Sequence, residues 1–113
     1  MTAQRIVGIQ LDLKYVMPRK SYLMEWVRRL PGYGINTILI EYEDKFPYEK
    51  YPFLRDPEAF TPGELKAFLA AARDAGLRVI PLVQSLSHLE FALDHPQLAH
   101  LREGPEIPTQ ICP

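Results

Sequence analysis

One cysteine, Cys112, is the whole supply of thiol in this chain, so no internal disulfide can form. That usage suits a reducing compartment, and a cytoplasmic location is the expectation. No apolar run approaches the ~20 residues needed to cross a bilayer, so no membrane partner is expected. The opening stretch from Met1 to Gly8 has no basic region followed by a long apolar one, so a secretory leader is not expected either. Positive charge is not in excess: 13 Lys and Arg face 14 Asp and Glu, for a formal net charge of -1. That leaves no field to hold a polyanion, and nucleic acid is not an expected partner. The three histidines, His88, His95 and His100, lack a zinc-binding spacing and have no cysteine cluster beside them, so no metal is expected. No glycine-rich phosphate loop follows the first apolar run, where Asp12 to Tyr15 stand instead, and no nucleotide cofactor is expected.

Proline, by contrast, is abundant. Its 11 occurrences in 113 residues are about twice the usual ~5%. They fall mostly between periodic segments and act as punctuation. With 47% hydrophobic and 24% charged residues, residues 1–113 read as one globular unit.

The run from Ile6 to Leu13 suits a strand buried on both faces, with Ile6, Gly8, Gln10 and Asp12 on one of them. A helix follows Pro18, with Tyr22, Leu23, Trp26, Val27 and Leu30 at helical spacing. Arg28 and Arg29 suit its C-terminal end, and Pro31, Gly32 and Gly34 stop it. Asn36 to Tyr42 is the second strand, and a connection of about 18 residues follows, against the usual ~4–6. Thr61, Pro62 and Glu64 form a capping box at the start of the second helix, with Phe60 and Leu65 as its hydrophobic staple. Leu65, Phe68, Leu69 and Ala72 make its buried stripe, and Gly76 closes it. Arg78 to Gln84 is the third strand, where Pro81 is tolerable only if its missing donor has no partner. Ser87 to Glu90 predicts a second capping box opening a short helix to about Leu93, with another helical piece from Pro96 and a loop from Gly104 to Pro113. Strand and helix alternate three times, which predicts an α/β fold with a parallel sheet. A doubly wound sheet and a piece of a barrel are both compatible with this order.

In a parallel barrel the working groups sit at the C-terminal ends of the strands. Asp12 follows the first strand; Glu41, Glu43 and Asp44 end the second; Gln84 and His88 follow the third. Such acids also serve as caps or solvated loop charges, but three strands ending alike favours a convergent polar site. His88 suits either a ligand hydrogen bond or a helix start, while His95 and His100 suit surface or packing positions. Phe46, Tyr48, Tyr51 and Phe53 in the long connection could stack on sugar faces; the structural role of pinning the loop is favoured.

The runs EYEDKFPY (Glu41 to Tyr48) and VIPLVQ (Val79 to Gln84) followed by SLSHLEF (Ser85 to Phe91) closely resemble the hexosaminidase D branch of glycoside hydrolase family 20. LDLK (Leu11 to Lys14) and AHLRE (Ala99 to Glu103) match that branch too. The resemblance implies the N-terminal portion, about three βα units, of a (β/α)₈ TIM barrel with parallel strands. It further implies removal of terminal N-acetylhexosamines with retention, the substrate's own acetamido carbonyl acting as nucleophile, an exception to the two-carboxylate scheme. By this resemblance Asp12 matches the aspartate closing the family's first strand, Asn36 the asparagine opening the second, Asp44 an acid in the following loop, and His88 the histidine of a Pro-Gly-His motif. There are departures. The family's substrate-gripping arginine falls at Val7, with Arg5 nearby but out of register. Leu82 and Gln84 replace acids of the broader family, and Ser87 replaces a glycine.

No catalytic residue is assigned, because the family's Asp-Glu pair after the fourth strand is absent from these 113 residues. The expected substrate-binding set is Asp12, Glu41, Glu43, Asp44, Gln84 and His88, for an N-acetylhexosaminide carbohydrate. Two alternatives stay open: a non-catalytic sugar-binding or self-assembling module derived from a barrel, and a piece of a sugar-phosphate isomerase or lyase barrel. The chain alone is expected to be inactive, and to form a homo-oligomer through an exposed barrel face that includes Ile6, Leu39, Ile80 and Leu82.

Overall fold

A computed structural model describes residues 5–111. Three parallel strands, β1 (Gly8–Asp12), β2 (Thr37–Glu41) and β3 (Arg78–Leu82), lie in the order β1-β2-β3. The register aligns Gly8 with Thr37 and Arg78 at one end, and Asp12 with Glu41 and Leu82 at the other. Helices α1 (Lys20–Arg29) and α2 (Pro62–Asp74) make the crossovers, and a single-turn α3 (Glu90–Leu93) follows β3. Among the described residues no helix is long and apolar enough to cross a membrane.

Both long helices cover the same side of the sheet. Leu23, Val27 and Leu30 from the first, and Leu65, Phe68 and Ala72 from the second, pack over Ile38 and Ile40 with Leu13 and Phe60. Ile38 and Ile40 of the central strand are therefore fully buried; on its opposite face Thr37 and Glu41 are also buried, and Leu39 between them is half-buried. β1 departs from the expectation of burial on both faces: Ile9 and Leu11 are half-buried toward the helices, while Gly8, Gln10 and Asp12 are exposed. Helices on one side cover one set of alternating side chains only. On β3 the same open side presents Ile80, and Pro81 is tolerated because the strand lies at the sheet edge.

Helix stripes are narrower than the periodicity suggested. Tyr22 and Leu69 are exposed, each lying one position, about 100°, from a buried neighbour, Leu23 or Phe68. α1 tightens into a 3₁₀ turn, Leu30–Tyr33, and Gly34 closes it at φ 78°, donating to the Leu30 and Pro31 carbonyls. The α2 capping box forms as read: the Glu64 N–H donates to Thr61 Oγ1 at 3.2 Å, and the Thr61 N–H donates to Glu64 Oε2 at 2.8 Å. Lys20 also reaches Glu64 Oε2 at 2.7 Å, tying the starts of the two helices together and holding the Glu64 carboxyl down at about 2.

The second capping box does not form. α3 begins at Glu90 with Leu89 before it and no side-chain cap, because His88 adopts a left-handed backbone at φ 59°. Glu90 turns instead toward Lys14, 3.5 Å away. The helical piece read from Pro96 is a 3₁₀ turn at Ala99–Leu101, and the following loop is pinned by a bridge between Arg102 and Ile111. Cys112 lies outside the described residues.

The long connection is ordered. Two 3₁₀ turns, Glu43–Lys45 and Pro52–Leu54, fold it back on itself. Lys45, only 1% exposed, sets its ammonium 2.7 Å from Asp44 Oδ1 and 3.5 Å from Asp56 Oδ2. Backbone bonds from the Asp56 N–H to the Asp44 carbonyl and from the Phe60 N–H to the Lys45 carbonyl complete the lock.

Candidate functional site

Parallel direction and strand alternation bring Asp12, Glu41 and Gln84 to the same end of the sheet. Glu41 is the centre of this group. Its Oε1 accepts a hydrogen bond from Gln84 Nε2 at 2.8 Å, and its Oε2 accepts a longer one from Gln10 Nε2 at 3.4 Å. One amide from β1 and one from just beyond β3 thus reach a carboxylate on the central strand. Gln10 was not among the expected site residues, although its parity with Asp12 was the available signal. Asp12 lies beside Glu41 in register and accepts from the Lys14 N–H at 2.8 Å, which turns the chain over the strand end.

Glu43, two residues beyond the strand, is buried and adopts φ 45°, an uncommon backbone for a residue with a Cβ. Burial pushes its carboxyl up to about 7; Lys14 opposes this, and the neighbouring acids Glu41, Asp12 and Asp44 add to it. Lys14 stands 3.7 Å from Glu43 Oε1 and 3.5 Å from Glu90 Oε2. Burial lowers the Lys14 ammonium, but the two carboxylates outweigh it and the net direction is up. Lys14 and Glu90 escaped the sequence reading because their contact spans the chain.

A cavity of about 180 Å³ opens beside Glu41, Glu43 and Gln84, walled by Tyr42, Phe46, Tyr48, Phe91, Leu82 and Val83. Its rings form a continuous series: Tyr42 on Phe46 at 5.7 Å between centroids, Phe46 on Tyr48 at 5.1 Å, and Tyr48 stacked on Phe91 at 6.4 Å. Burial raises the Tyr42 hydroxyl to about 12, and burial with Asp44 and Glu43 raises that of Tyr48. Aromatic walls with a few convergent polar groups are the usual make-up of a small-molecule site.

The other expected site residues are placed differently. Asp44 is engaged by Lys45 and holds the loop closed. His88 is exposed just beyond β3, and no hydrogen bond joins it to Asp12, Glu41 or Gln84. Arg5 lines a separate cavity of about 310 Å³ with Asn36, Arg73 and Arg78, at the N-terminal ends of the strands. Arg5 thus lies at the opposite end of the strands from Asp12. Asn36 is a clamp between strand starts: it accepts from the Val7 N–H at 3.0 Å and donates to the Arg5 carbonyl at 2.7 Å. Among the described residues no group of three or more His, Cys, Asp or Glu is placed to hold a metal.

No family model matches the chain. It is 46% identical over 106 residues to hexosaminidase D of Bos taurus, covering 93% of this chain and 31% of that protein. This chain is homologous to hexosaminidase D. The human hexosaminidase D is 45% identical over 106 residues, again 93% of this chain, and 22% of its own length. The chain thus spans less than a third of the hexosaminidase D relatives it matches. Its fold agrees with a GH20 β-N-acetylhexosaminidase from Streptomyces coelicolor A3(2), at a TM-score of 0.73 over 93% of this chain and 26% of that one, with 16% identity. The three parallel strands and their helices correspond to the N-terminal part of that TIM-barrel structure, which decides between a barrel and a doubly wound sheet.

Proposed function

We propose that residues 1–113 form a single partial-barrel unit supplying one wall of a site that binds the terminal N-acetylhexosamine of a glycan for hydrolysis. The observation that carries this reading is the Gln10–Glu41–Gln84 group beside an aromatic cavity at the C-terminal strand ends, in a chain about 45% identical to hexosaminidase D. Asp12, Glu41, Glu43 and Gln84 are its polar contacts. Asp44 contributes by holding the loop, and His88 lies at its outer margin. The reaction uses an acid that protonates the leaving oxygen, worth ~10²–10⁴-fold, and none of the described residues is assigned that role. The chain alone therefore binds sugar without turning it over. Pure protein assayed with aryl N-acetylglucosaminide and N-acetylgalactosaminide gives no release; turnover abolished by Glu41→Gln would place catalysis within these three strands and overturn the assignment.

A second reading, self-assembly, rests on the open side of the sheet, where Ile6 and Ile80 are exposed, Leu39 and Leu82 are only half-buried, and both edge strands lack a neighbour among the described residues. We infer that copies of the chain associate through this side, because burying apolar surface stabilises by ~25 cal/mol per Å² and bare edges template pairing. Sedimentation over a concentration series tests it, and a monomer throughout the series refutes it. A cytoplasmic setting, with neither nucleic acid nor membrane as partner, accords with the charge balance and the single cysteine.

A further inference from the structure

The two glutamates flanking the aromatic cavity are in opposite states of satisfaction. Both oxygens of Glu41 accept amide hydrogens. Glu43 is buried as deeply, its side chain only 4% exposed, yet its Oε1 has no hydrogen-bond partner among the described residues. Lys14 Nζ, at 3.7 Å, is beyond hydrogen-bond reach and is shared with Glu90. An unmet buried acceptor is unfavourable and uncommon. The turn also holds Glu43 in a left-handed backbone, with the Lys45 N–H bonded to the Tyr42 carbonyl and the Phe46 N–H to that of Glu43. A fold that keeps both features leaves Glu43 set to receive a hydrogen from a partner outside the described chain.

Glu43 lines this aromatic cavity and a second one shared with Lys14 and Glu90, and the aromatic one limits what that partner is. Phe46, Tyr48 and Phe91 present rings to it, and Glu41 and Gln84 complete its polar edge. A pyranose meets both demands: its C–H faces lie on aromatic rings and its rim carries hydroxyl donors. We propose that Glu43 is a specificity-determining residue, its carboxylate accepting a hydrogen bond from one ring hydroxyl of the bound pyranose. This rests on the sugar site proposed above and adds to it the residue that reads hydroxyl position. A site built to bond a hydroxyl rejects the analogue lacking it far more strongly than an apolar wall rejects a change of size.

The charged and titratable groups facing Glu43 are Lys14 and Asp12 from the end of β1, Glu41 from β2, Asp44 and Tyr48 from its own loop, and Glu90 from α3. Comparing the chain with Glu43→Gln separates its titration from theirs. The experiment is an NMR titration with the methyl β-glycosides of N-acetylglucosamine and N-acetylgalactosamine and their monodeoxy analogues, at pH 5.5 and 8.5. Burial holds Glu43 protonated at the lower pH and ionised at the higher, so affinity of the unaltered chain is expected to rise with pH. At pH 8.5 Glu43→Gln is expected to bind roughly tenfold more weakly, the usual consequence of losing a hydrogen bond to a charged group. At pH 5.5 the two should bind alike. One deoxy analogue should lose the same factor on the unaltered chain and nothing further on Glu43→Gln. That deoxy series on the unaltered chain is decisive even where the variant folds poorly. Sugar binding that ignores pH, Glu43→Gln and every deoxy position overturns this inference and leaves the sugar site standing. Failure of every glycoside to bind the unaltered chain removes both.

Discussion

The buried Glu43 carboxyl makes the stability of this fold depend on pH in an unusual direction. Most carboxylates are held down by partners and stabilise a fold as pH rises, whereas burial lifts Glu43 from 4.5 to about 7. Between those values the folded chain keeps a proton that the unfolded chain has released. The native state binds more protons there, so stability falls as pH climbs through the window and levels off above about 7. At 1.36 kcal/mol per pH unit the full loss is roughly 3 kcal/mol, a large share of the 5–15 kcal/mol typical of a small domain. Lys14 is already counted in that figure, since its attraction opposes the rise. Glu43→Gln keeps the shape and removes the titration. Near pH 5, where the native carboxyl is neutral, the two chains should be within about 1 kcal/mol of each other. At pH 8.5 the variant should be more stable by roughly 3 kcal/mol. Urea unfolding followed by Trp26, the single tryptophan and half-buried on α1, reports the difference at fixed low chain concentration. Parallel pH curves for the two proteins, or a variant less stable at pH 8.5, would refute the argument from burial.

Asp44→Ala strands the Lys45 ammonium with Asp56 alone, and the expected cost is about 3 kcal/mol, toward the low end for an unpaired buried charge, read as a lower urea midpoint. Thr61→Ala removes one half of the α2 capping box and should cost ~1 kcal/mol, with faster hydrogen exchange confined to the first turn of that helix. Glu64 is held down at about 2 by Lys20 and the cap, so its stabilising effect should persist above pH 4.5 and fade as pH falls toward 2 in an acid titration of the fold. Ile80→Lys places a charge on the open side of the sheet and should shift light scattering toward monomer without lowering the unfolding free energy by more than ~0.5 kcal/mol.

The features legible in the sequence were those fixed by local chemistry or by strand parity. The Thr61–Glu64 box needs only four consecutive residues, and it formed as read. The meeting of Asp12, Glu41 and Gln84 followed from alternation and parallel direction, neither of which needs a tertiary contact to be inferred. Ser87 to Glu90 carries the same box pattern and failed, because the left-handed His88 and the pull of Lys14 on Glu90 come from elsewhere in the fold. The burial of Lys45 was illegible for the same kind of reason. A lysine in a polar loop reads as solvated until Asp56 is folded back over it. Glu43 was legible as a member of an acidic cluster and illegible as a buried acid whose Oε1 lacks a donor among the described residues, since its left-handed turn has no glycine to announce it.

The bonds from Gln10 and Gln84 to Glu41 also bear on how the sheet finds its alignment. β2 is an almost unbroken aliphatic run, and a slip of two residues against either neighbour would keep every side chain on its proper side of the sheet. Apolar packing alone discriminates weakly between such alignments. A slip does, however, carry an amide past Glu41 and leaves a buried carboxylate oxygen without its donor. At ~1.5–3 kcal/mol for each bond to a charged group, the two amides together penalise the misaligned sheet by about 3–6 kcal/mol. The polar cluster thus works as a vernier, letting three greasy strands settle into one register out of several that look equally good to the core.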